Sequence, residues 1–296
     1  EFQRLRVKSL VQQMIEIEMT MGRAQLFIDL DGHDHELPFV ASDRGVALGS
    51  FRGLSLIEPM FSTPSAYNAS DPTQPDFYIP ERWFVMGKNV HADRLITLIM
   101  RPVPALLKPA YNFGGISMLQ MMMPYVQRYQ RTADSVAELV RAFSLTILAT
   151  DMSSILAGEY DPSVMARAKL FNQYKDNSGL ILLDKNEEEI NQINTPMTGL
   201  PEVLTKMQQQ MAAPSHTPMV KLFGVTPSGL NASAEGEIQV YREYISAQNE
   251  AHIRPVIERI AELVQLSLFG EIDRSIMWRF SPLGEVGEKE RAEINS

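Results

Sequence analysis

The feature that most constrains the fold is a seven-residue repeat of apolar side chains between residues 119 and 143. Its members are alternately three and four residues apart, which places them on one side of a single long helix. The repeat consists of Leu119, Met122, Val126, Tyr129, Ala133, Val136, Val140 and Phe143. Such a helix seam predicts packing against a second long helix. Pro124 lies near its start and is expected to kink the helix or delay its beginning.

The composition excludes several classes of protein. The chain has 296 residues, of which 45% are hydrophobic, and no cysteine. This length suits two or three subregions, and the hydrophobic fraction is that of a folded protein. The absence of cysteine excludes disulfides, thiolate catalysis and iron–sulfur clusters. No apolar run reaches the ~18–20 residues that cross a bilayer, and no secretion leader opens the chain, so we expect no membrane partner.

The first 115 residues predict a helix followed by short strands. Apolar residues three to four apart predict a helix over residues 1–21, which Gly22 ends, followed by a strand at 24–30 and a turn at Asp31-Gly32. Further strands are expected at 54–57, 77–79, 83–86 and 95–100. Prolines between them predict that these strands are short or lie at sheet edges.

The second half of the chain predicts mainly helix. The expected helices cover 162–175 with Asp161 as N-cap, 201–211, and a long segment to 268 in which Pro255 predicts a kink near 251–255. A run of small residues at 222–233 predicts a loop, with Ser233 capping the helix after it. Short strands are expected at 180–183 and 276–280, and an acidic run at 187–189 is expected to be solvated. A helical pattern at 288–294 stops at the chain end, and both ends look truncated.

Candidate chemistry is sparse. His33, Asp34, His35 and Glu36 form the densest group of metal-ligand types, but neighbouring ligands in a turn rarely bind metal without others, so a surface turn is favoured. Phosphate-loop, dinucleotide-binding, nucleophile-elbow and zinc-protease motifs are absent from the sequence. We therefore expect no enzyme, no metal and no cofactor.

Other residues that invite a functional interpretation have structural ones. His91 and His252 are expected to be hydrogen-bonded structural residues. Four methionines at the head of the repeat favour adaptable core packing over a ligand surface. They are Met118, Met121, Met122 and Met123.

Three segments resemble the phage portal protein family, in its branch of phage-associated portal-like proteins. Residues 113–117, Phe-Gly-Gly-Ile-Ser, are similar to the family's Gly-x-Ser start of a long helix. Residues 221–232 look like its stretch of leucine, glycine, proline, glycine, leucine, asparagine and alanine. Residues 89–96 are similar to its valine-histidine-x-x-arginine-valine strand. One departure is Ala-Glu-Gly-Glu at 234–237, where the branch shows Gly-Glu-x-Asp.

The resemblance implies an α+β class: a mainly helical portal fold with a small β-containing wing, long stem helices and a small mixed clip. It assigns residues 1–115 to the wing, 116–143 to one stem helix, 144–198 to the clip, 199–213 to the other stem helix, 214–236 to the tunnel loop region, 237–269 to a long kinked helix and 270–296 to the start of a truncated crown.

The resemblance also implies a function without catalysis. By the resemblance, twelve copies are expected to form a ring at the capsid vertex of the virion, assembled in the host cytoplasm. Double-stranded DNA is packaged and ejected through it, and terminase, capsid and head-completion proteins dock on it. The expected channel-facing residues are Lys221, Ser228, Gly229, Asn231 and Ser233.

The net charge of −9, from 27 basic and 36 acidic residues, fits a conduit better than a clamp or a sequence reader. Each phosphate–lysine contact holds the duplex against movement, so an acidic surface is compatible with sliding. Two alternatives stay open. One is a protein associated with a nucleotide phosphodiesterase, although the paired H-x-[ST] motif is absent; the other is a helical scaffold or adaptor that binds only proteins.

Overall fold

The computed structural model describes residues 1–32, 34–39, 45–142, 146–149, 189–192, 199–224 and 231–283, together with residues 166 and 169. The chain divides into two compact units, Glu1–Gln127 with Met207–Ser296, and Arg128–Lys206. Helices and small antiparallel sheets both build the structure, which confirms the α+β class.

Most predicted helices and strands within the described residues are present with adjusted bounds, but the helix Met219–Phe223 and the strands Ser62–Tyr67, Thr146–Ala149 and Glu189–Gln192 were not predicted. The helices are α1 Val7–Met21, α2 Met118–Ala142, α3 Leu200–Ser215, α4 Met219–Phe223, α5 Asn231–Gln248 and α6 Arg254–Phe269, with a π-helical turn at Asn249–Ile253 between the last two. The strands are β1 Ala24–Leu30, β2 Phe51–Ile57, β3 Ser62–Tyr67, β4 Pro80–Val85, β5 Lys88–His91, β6 Leu95–Leu98, β7 Thr146–Ala149 and β8 Glu189–Gln192.

Strand β1 is the centre of the larger unit. It lies between β2 and β6 in a three-stranded antiparallel sheet. Its even-numbered side chains, from Ala24 to Leu30, are buried against α1 and α6, where Met14, Ile260 and Leu263 are fully enclosed. Phe27, on its other face, packs against a second core around Trp83. Because both faces of β1 are covered, its apolar run is nearly continuous.

The second sheet has the order β3-β4-β5 and explains the proline pattern. Pro64 lies in β3, an edge strand that is bulged at that point, and Pro80 is the first residue of β4. Both positions tolerate the missing N–H of proline. The expectation of short or edge strands is therefore confirmed for these two prolines.

A buried guanidinium links the residue before β1 to the first residue of β3 and to Asn112. The Arg23 side chain is buried and donates hydrogen bonds to the Asn112 carbonyl oxygen at 2.6 Å, the Ser62 carbonyl oxygen at 2.8 Å and the Ser62 hydroxyl at 2.9 Å. The guanidinium also lies 4.3 Å from the centre of the Trp83 ring. Burial lowers the pKa of Arg23 to about 10, which leaves the group charged at neutral pH.

Two glycines allow α1 and the segment before α2 to cross at backbone distance. Gly22 ends α1 in the left-handed region, with φ 81°, and its carbonyl oxygen accepts a hydrogen bond from the Gly115 N–H at 2.8 Å. A Cβ on Gly22 would stand 2.1 Å from the Gly115 carbonyl oxygen, and one on Gly115 would stand 2.2 Å from the Arg101 carbonyl oxygen. No larger residue fits either position without a backbone shift.

A buried ion pair lies beside this crossing. The fully buried Glu18 carboxylate accepts hydrogen bonds from the Met100 N–H and from the Arg101 guanidinium, each at 2.8 Å. Arg101 also donates to the Ile116 carbonyl oxygen at 2.9 Å. Burial raises the pKa of Glu18, because desolvation outweighs the lowering by the Met100 N–H and the Arg101 charge.

Two predicted strands are wrong. Residues 77–79 contribute only an isolated bridge at Phe77, because Tyr78 has a φ of 53° and the preceding loop is folded by hydrogen bonds to the Asn68 and Asp71 side chains. Residues 276–280 form no strand, and the Trp278 carbonyl oxygen instead accepts a hydrogen bond from Arg254 at 2.6 Å. In both places, tertiary contacts replace the ladder that β-prone residues suggested.

Pro255 acts where the kink was expected, but through a π-helical turn. The Arg254 N–H bonds to the Asn249 carbonyl oxygen, five residues earlier, and α6 begins at Arg254 with proline in its first turn. A proline in an uninterrupted α-helix would clash with the carbonyl group four residues earlier, and the wider turn accommodates it. The long helix therefore runs from Asn231 to Phe269 with one irregularity.

The smaller unit contains strands β7 and β8, which pair antiparallel. Glu189, the last residue of the predicted solvated acidic run, begins β8. The predicted elements at 162–175, 180–183 and 288–294 lie outside the described residues, apart from residues 166 and 169, which are helical.

We expect Gly115→Ala to lower the free energy of unfolding by about 3 kcal/mol, at the upper end of overpacking costs. The added Cβ would stand 2.2 Å from the Arg101 carbonyl oxygen and 2.9 Å from the Ile99 side chain. Urea denaturation followed by circular dichroism measures this change. Gly236→Ala is the matched control, because a Cβ there meets nothing within 4 Å and should stabilise helix α5 by up to about 1 kcal/mol. Equal stability of the Gly115 variant and wild type would contradict the close crossing.

We expect the stability difference between wild type and Glu18→Gln to depend on pH. Folded Glu18 holds its proton more tightly than unfolded Glu18, so its contribution to stability falls as the pH rises from 4.5 through its raised folded-state pKa. The free energy of unfolding, wild type minus variant, should therefore be more positive at pH 4.5 than at pH 7. Glu16→Gln, an exposed position on the same helix, should stay within about 0.5 kcal/mol of wild type. A difference that grows toward neutral pH would refute this assignment.

Candidate functional site

The predicted tunnel loop region contains more helix than the sequence suggested. Helix α3 extends to Ser215, α4 covers Met219–Phe223, and α5 begins at Asn231. The prediction of a continuous loop over 222–233 is therefore wrong at both ends. Alanines at 232 and 234 favour helix strongly enough to include this stretch of small residues in α5.

Lys221 is exposed on the short helix α4. Helix α4 follows Pro218, and its first residue, Met219, is buried. Gly224 ends the helix with a φ of 69°, and its N–H donates to the Val220 carbonyl oxygen at 3.1 Å. A left-handed residue after a helix favours glycine, which is why Gly224 stops the helix there. The structure thus presents Lys221 to solvent from a firmly bounded turn.

The other expected channel residues are only partly described. Ser228 and Gly229 lie outside the described residues. Asn231 and Ser233 belong to the first turn of α5, so the predicted role of Ser233 as N-cap is wrong: the helix has already begun two residues earlier. The roles of all five residues in a channel stay predictions.

A shallow cleft of about 570 Å³ lies between the α3–α4 connection and α5. His216 has a left-handed φ of 51°, and its ring stacks on Tyr244 with the ring centres 4.7 Å apart. Tyr241, Val240 and Glu237 also line the cleft. Glu235 and Glu237 are exposed on the first turns of α5, so carboxylates outnumber Lys221 here. The described residues that line the cleft therefore include no lysine or arginine that could hold a phosphate.

The long helix that carries the seam is confirmed as α2, Met118–Ala142. Pro124 lies inside this helix and does not delay its start. Leu119 and Val140 are exposed, whereas Met122, Val126, Tyr129 and Val136 are half-buried. Phe143 lies outside the described residues. The packing of this seam against another helix stays a prediction.

The methionines at the head of α2 differ in exposure. Met118 is buried, Met121 and Met122 are half-buried, and Met123 is exposed. Core packing therefore accounts for Met118, which is the only one of the four to be fully enclosed.

The histidine segments fold as structural turns. Asp34 accepts a hydrogen bond from the Glu36 N–H at 3.0 Å, which is a local turn, and His33 lies outside the described residues. Within the described ranges, no group of three or more His, Asp or Glu side chains is arranged to hold a metal ion. His91 accepts a hydrogen bond from the Asp93 N–H at 3.2 Å and so caps the turn after β5, as expected of a structural histidine.

The valine-histidine-x-x-arginine segment has a physical explanation. Val90 is buried in the second core, His91 caps the turn, and Arg94 is buried with its Nε donating to the Leu37 carbonyl oxygen at 3.1 Å. The sequence predicted no structural role for Arg94, Arg23 or Glu18. In the sequence these residues resemble ordinary surface charges, and only their burial in the folded chain distinguishes them.

No helix within the described parts of the chain combines the length and apolar character that spanning a membrane requires.

The larger unit combines two three-stranded antiparallel sheets with long helices. The family model described as "Phage portal protein" matches residues 1–296, and the chain therefore belongs to the phage portal protein family. Proteins of this family are structural rather than enzymatic, in agreement with the expectation from sequence.

The chain is similar to three curated proteins. An uncharacterized protein of Haemophilus influenzae is 22% identical over 98% of this chain and 65% of its own length. The anti-CBASS protein Acb1 of Sphingomonas paeninsulae is 23% identical over 100% of the chain and 49% of that protein. Acb1 of a Caulobacter species is 22% identical over 92% and 46%, respectively. The chain thus spans about half to two thirds of the length of these relatives.

Solved structures of similar proteins include components of phage-like particles. A chain from the neck of a native GTA particle, computed with C12 symmetry, has a TM-score of 0.49 and 13% identity over 89% of this chain and 67% of its own. An HK97 family phage portal protein from Corynebacterium diphtheriae has a TM-score of 0.40 and 13% identity over 80% and 70%.

Proposed function

We propose that this chain is a subunit of a ring-shaped portal channel at the capsid vertex of a virion, through which double-stranded DNA is packaged and ejected. The observation that carries the proposal is the match of the phage portal family to the whole chain, residues 1–296. In this proposal the ring has twelve copies, and terminase, capsid and head-completion proteins dock on it.

We assign the parts of a portal subunit to elements of the fold. The two sheets with α1 and α6 form the wing, α2 and α3 form the stem, and the part of the chain between them forms the clip. The segment from α4 to the start of α5 lines the channel. Within this segment, α4 is a short, firmly bounded turn that exposes a single lysine, a suitable element for touching a moving duplex without holding it.

Charge supports a channel through which the duplex slides. Lysine and arginine contacts to phosphates supply non-specific affinity, and every such contact resists translocation. Lys221 is exposed, but Glu235 and Glu237 are exposed close to it along the chain. The net charge of −9 has the same sign. These features favour weak, salt-sensitive contact over tight binding.

The first test is the oligomeric state. We expect the purified chain to form closed rings with a central channel about as wide as a duplex, because the proposed function requires an enclosed path. Mass photometry gives the number of copies, and negative-stain microscopy shows the channel. Persistent monomers across salt and protein concentration would count against the proposal.

The second test concerns Lys221. We expect Lys221→Ala to leave ring formation unchanged and to lower the slope of log K against log salt for duplex binding by about one per lysine contact that is lost. Lys8→Ala is the matched control, since Lys8 is an exposed lysine on α1 in the wing. Fluorescence anisotropy with a short duplex at several salt concentrations measures both slopes. An equal effect of the two substitutions would remove Lys221 from the channel.

A protein-only scaffold is separated from a portal by the segment around Gly229 and Asn231. Substituting these two residues should be harmless to a scaffold. The portal proposal requires defective DNA packaging with assembly intact.

The names of two relatives favour a second candidate, a portal-like part of a larger anti-CBASS protein. This candidate corresponds to the alternative of a protein associated with a nucleotide phosphodiesterase. It would gain support from cyclic-dinucleotide hydrolysis that disappears when His91 or His252 is replaced. His91 is engaged as a turn cap and His252 lies in the π-helical turn, so the two sit in separate structural elements.

A further inference from the structure

The hairpin between β4 and β5 exposes an apolar side chain at a backbone position that disfavours it. Val85 pairs with Lys88, and the two residues between them, Met86 and Gly87, have φ of 42° and 93°. Positive φ at both residues is the pattern of a type I′ turn, whose first position ordinarily holds Asn, Asp or Gly. Met86 is nevertheless 72% exposed, so burial within its own subunit does not offset this conformation.

Met86 belongs to a larger apolar surface. Its N–H donates to the Phe61 carbonyl oxygen at 3.2 Å, and Phe84 pairs with Thr63, two residues after Phe61. Met60, Phe61 and Phe84 are all exposed. We name Met60, Phe61, Phe84 and Met86 the hairpin patch. With side chains of roughly 200 Å² each, it exposes about 450 Å², well beyond a single scattered apolar residue.

A second apolar surface lies where α6 ends. Leu268 and Phe269 are the last residues of α6, and Leu48 lies over Gly270 beside them; all three are exposed. The Gly49 N–H donates to the Ser267 carbonyl oxygen at 2.8 Å, which holds these segments together. We name Leu48, Leu268 and Phe269 the helix-end patch. On the same basis it exposes about 350 Å².

Strand β2 separates the two patches. The helix-end patch adjoins the beginning of β2 at Phe51, where the backbone N–H bonds to the Ser267 hydroxyl, and the hairpin patch follows its end at Ile57. Seven residues at about 3.3 Å each place these ends about 20 Å apart. Both patches lie on the larger of the two compact units.

We propose that the hairpin patch binds the helix-end patch of a second copy of this chain. Two different patches on one rigid unit make a head-to-tail contact, which repeats from copy to copy and closes into a ring when the rotation allows it. The two patches together expose about 800 Å² of mostly apolar surface, which matches the apolar share of an interface near the small end of the standard range, about 1,200 Å². This inference rests on the proposed ring.

The test uses one variant for each patch. Phe84→Thr with Met86→Asn removes the hairpin patch, and Leu268→Gln with Phe269→Gln removes the helix-end patch. Each variant alone should be monomeric in mass photometry where wild type forms rings. A 1:1 mixture should form dimers and nothing larger, because only one intact pair of patches remains between the two variants. Leu106→Ser, an exposed leucine outside both patches, should assemble like wild type.

Met86→Asn in the turn between β4 and β5 separates loss of assembly from loss of folding. Asparagine suits the first position of a type I′ turn, so Met86→Asn alone should raise the urea midpoint of unfolding while it weakens assembly. Loss of assembly with a lower midpoint would indicate damage to the fold and would overturn the inference.

Cross-linking gives an independent measurement, because the chain has no cysteine of its own. Oxidation of a Met86→Cys/Phe269→Cys variant should give a ladder of covalent oligomers. A disulfide requires Cα atoms within about 7 Å, so the separation of the patches prevents bridging within one copy. Wild-type rings together with freely assembling patch variants would overturn this inference and leave the proposed function intact. A monomeric wild type would overturn both.

Discussion

The buried guanidinium of Arg23 is the interaction on which the larger unit depends. It joins the start of β1 to Ser62 and Asn112, residues that are far apart in the sequence, and it stacks on Trp83 of the second sheet. Within the described residues no carboxylate pairs with it; backbone carbonyl oxygens and one hydroxyl compensate the charge instead. Asn112 reinforces the arrangement by donating to the same Ser62 carbonyl oxygen at 2.9 Å. A buried charge that is compensated in this way fixes the relative position of two sheets that apolar contacts alone would leave free to slide.

The glycine crossing next to Arg23 connects this wing to the long helix. Gly22 and Gly115 approach so closely that their backbones hydrogen-bond, and Glu18 with Arg101 closes the neighbouring space. The segment that resembles the family's helix start therefore has a structural role. Its glycines are needed because the two backbones pack directly against each other. Helix α2 leaves from this point and passes into the second compact unit.

These constraints bear on the proposed function because a portal subunit must keep its contact surfaces in a fixed relation. The proposed ring can close only if each copy presents its contact surfaces in a fixed relation, and Arg23, the glycine crossing and the packing of α1 and α6 on β1 favour such a relation. The segment that we propose to line the channel is built differently. It uses a short helix bounded by proline and glycine, an exposed lysine and nearby carboxylates, an arrangement that suits weak contact with a polyanion better than capture of one.

The sequence by itself determined most of the long helices and the strands β1, β2, β4 and β6. Periodicity located α2 and the helical pattern through α6, a helix was predicted at 201–211 where α3 lies, glycine placed the end of α1, and the apolar run at 24–30 predicted the strand β1. It also singled out the stretch of small residues at 222–233, but it missed the helix at both ends of that stretch, because glycine, serine and proline indicate a loop whereas alanine favours helix. Only the tertiary structure decided that Arg23, Glu18 and Arg94 are buried, that residues 77–79 and 276–280 pair with no strand, and that Met86 is exposed in a left-handed turn. The physical reason is that periodicity records which face of an element is apolar, whereas the depth of a charge and the partner of a strand depend on segments distant in sequence.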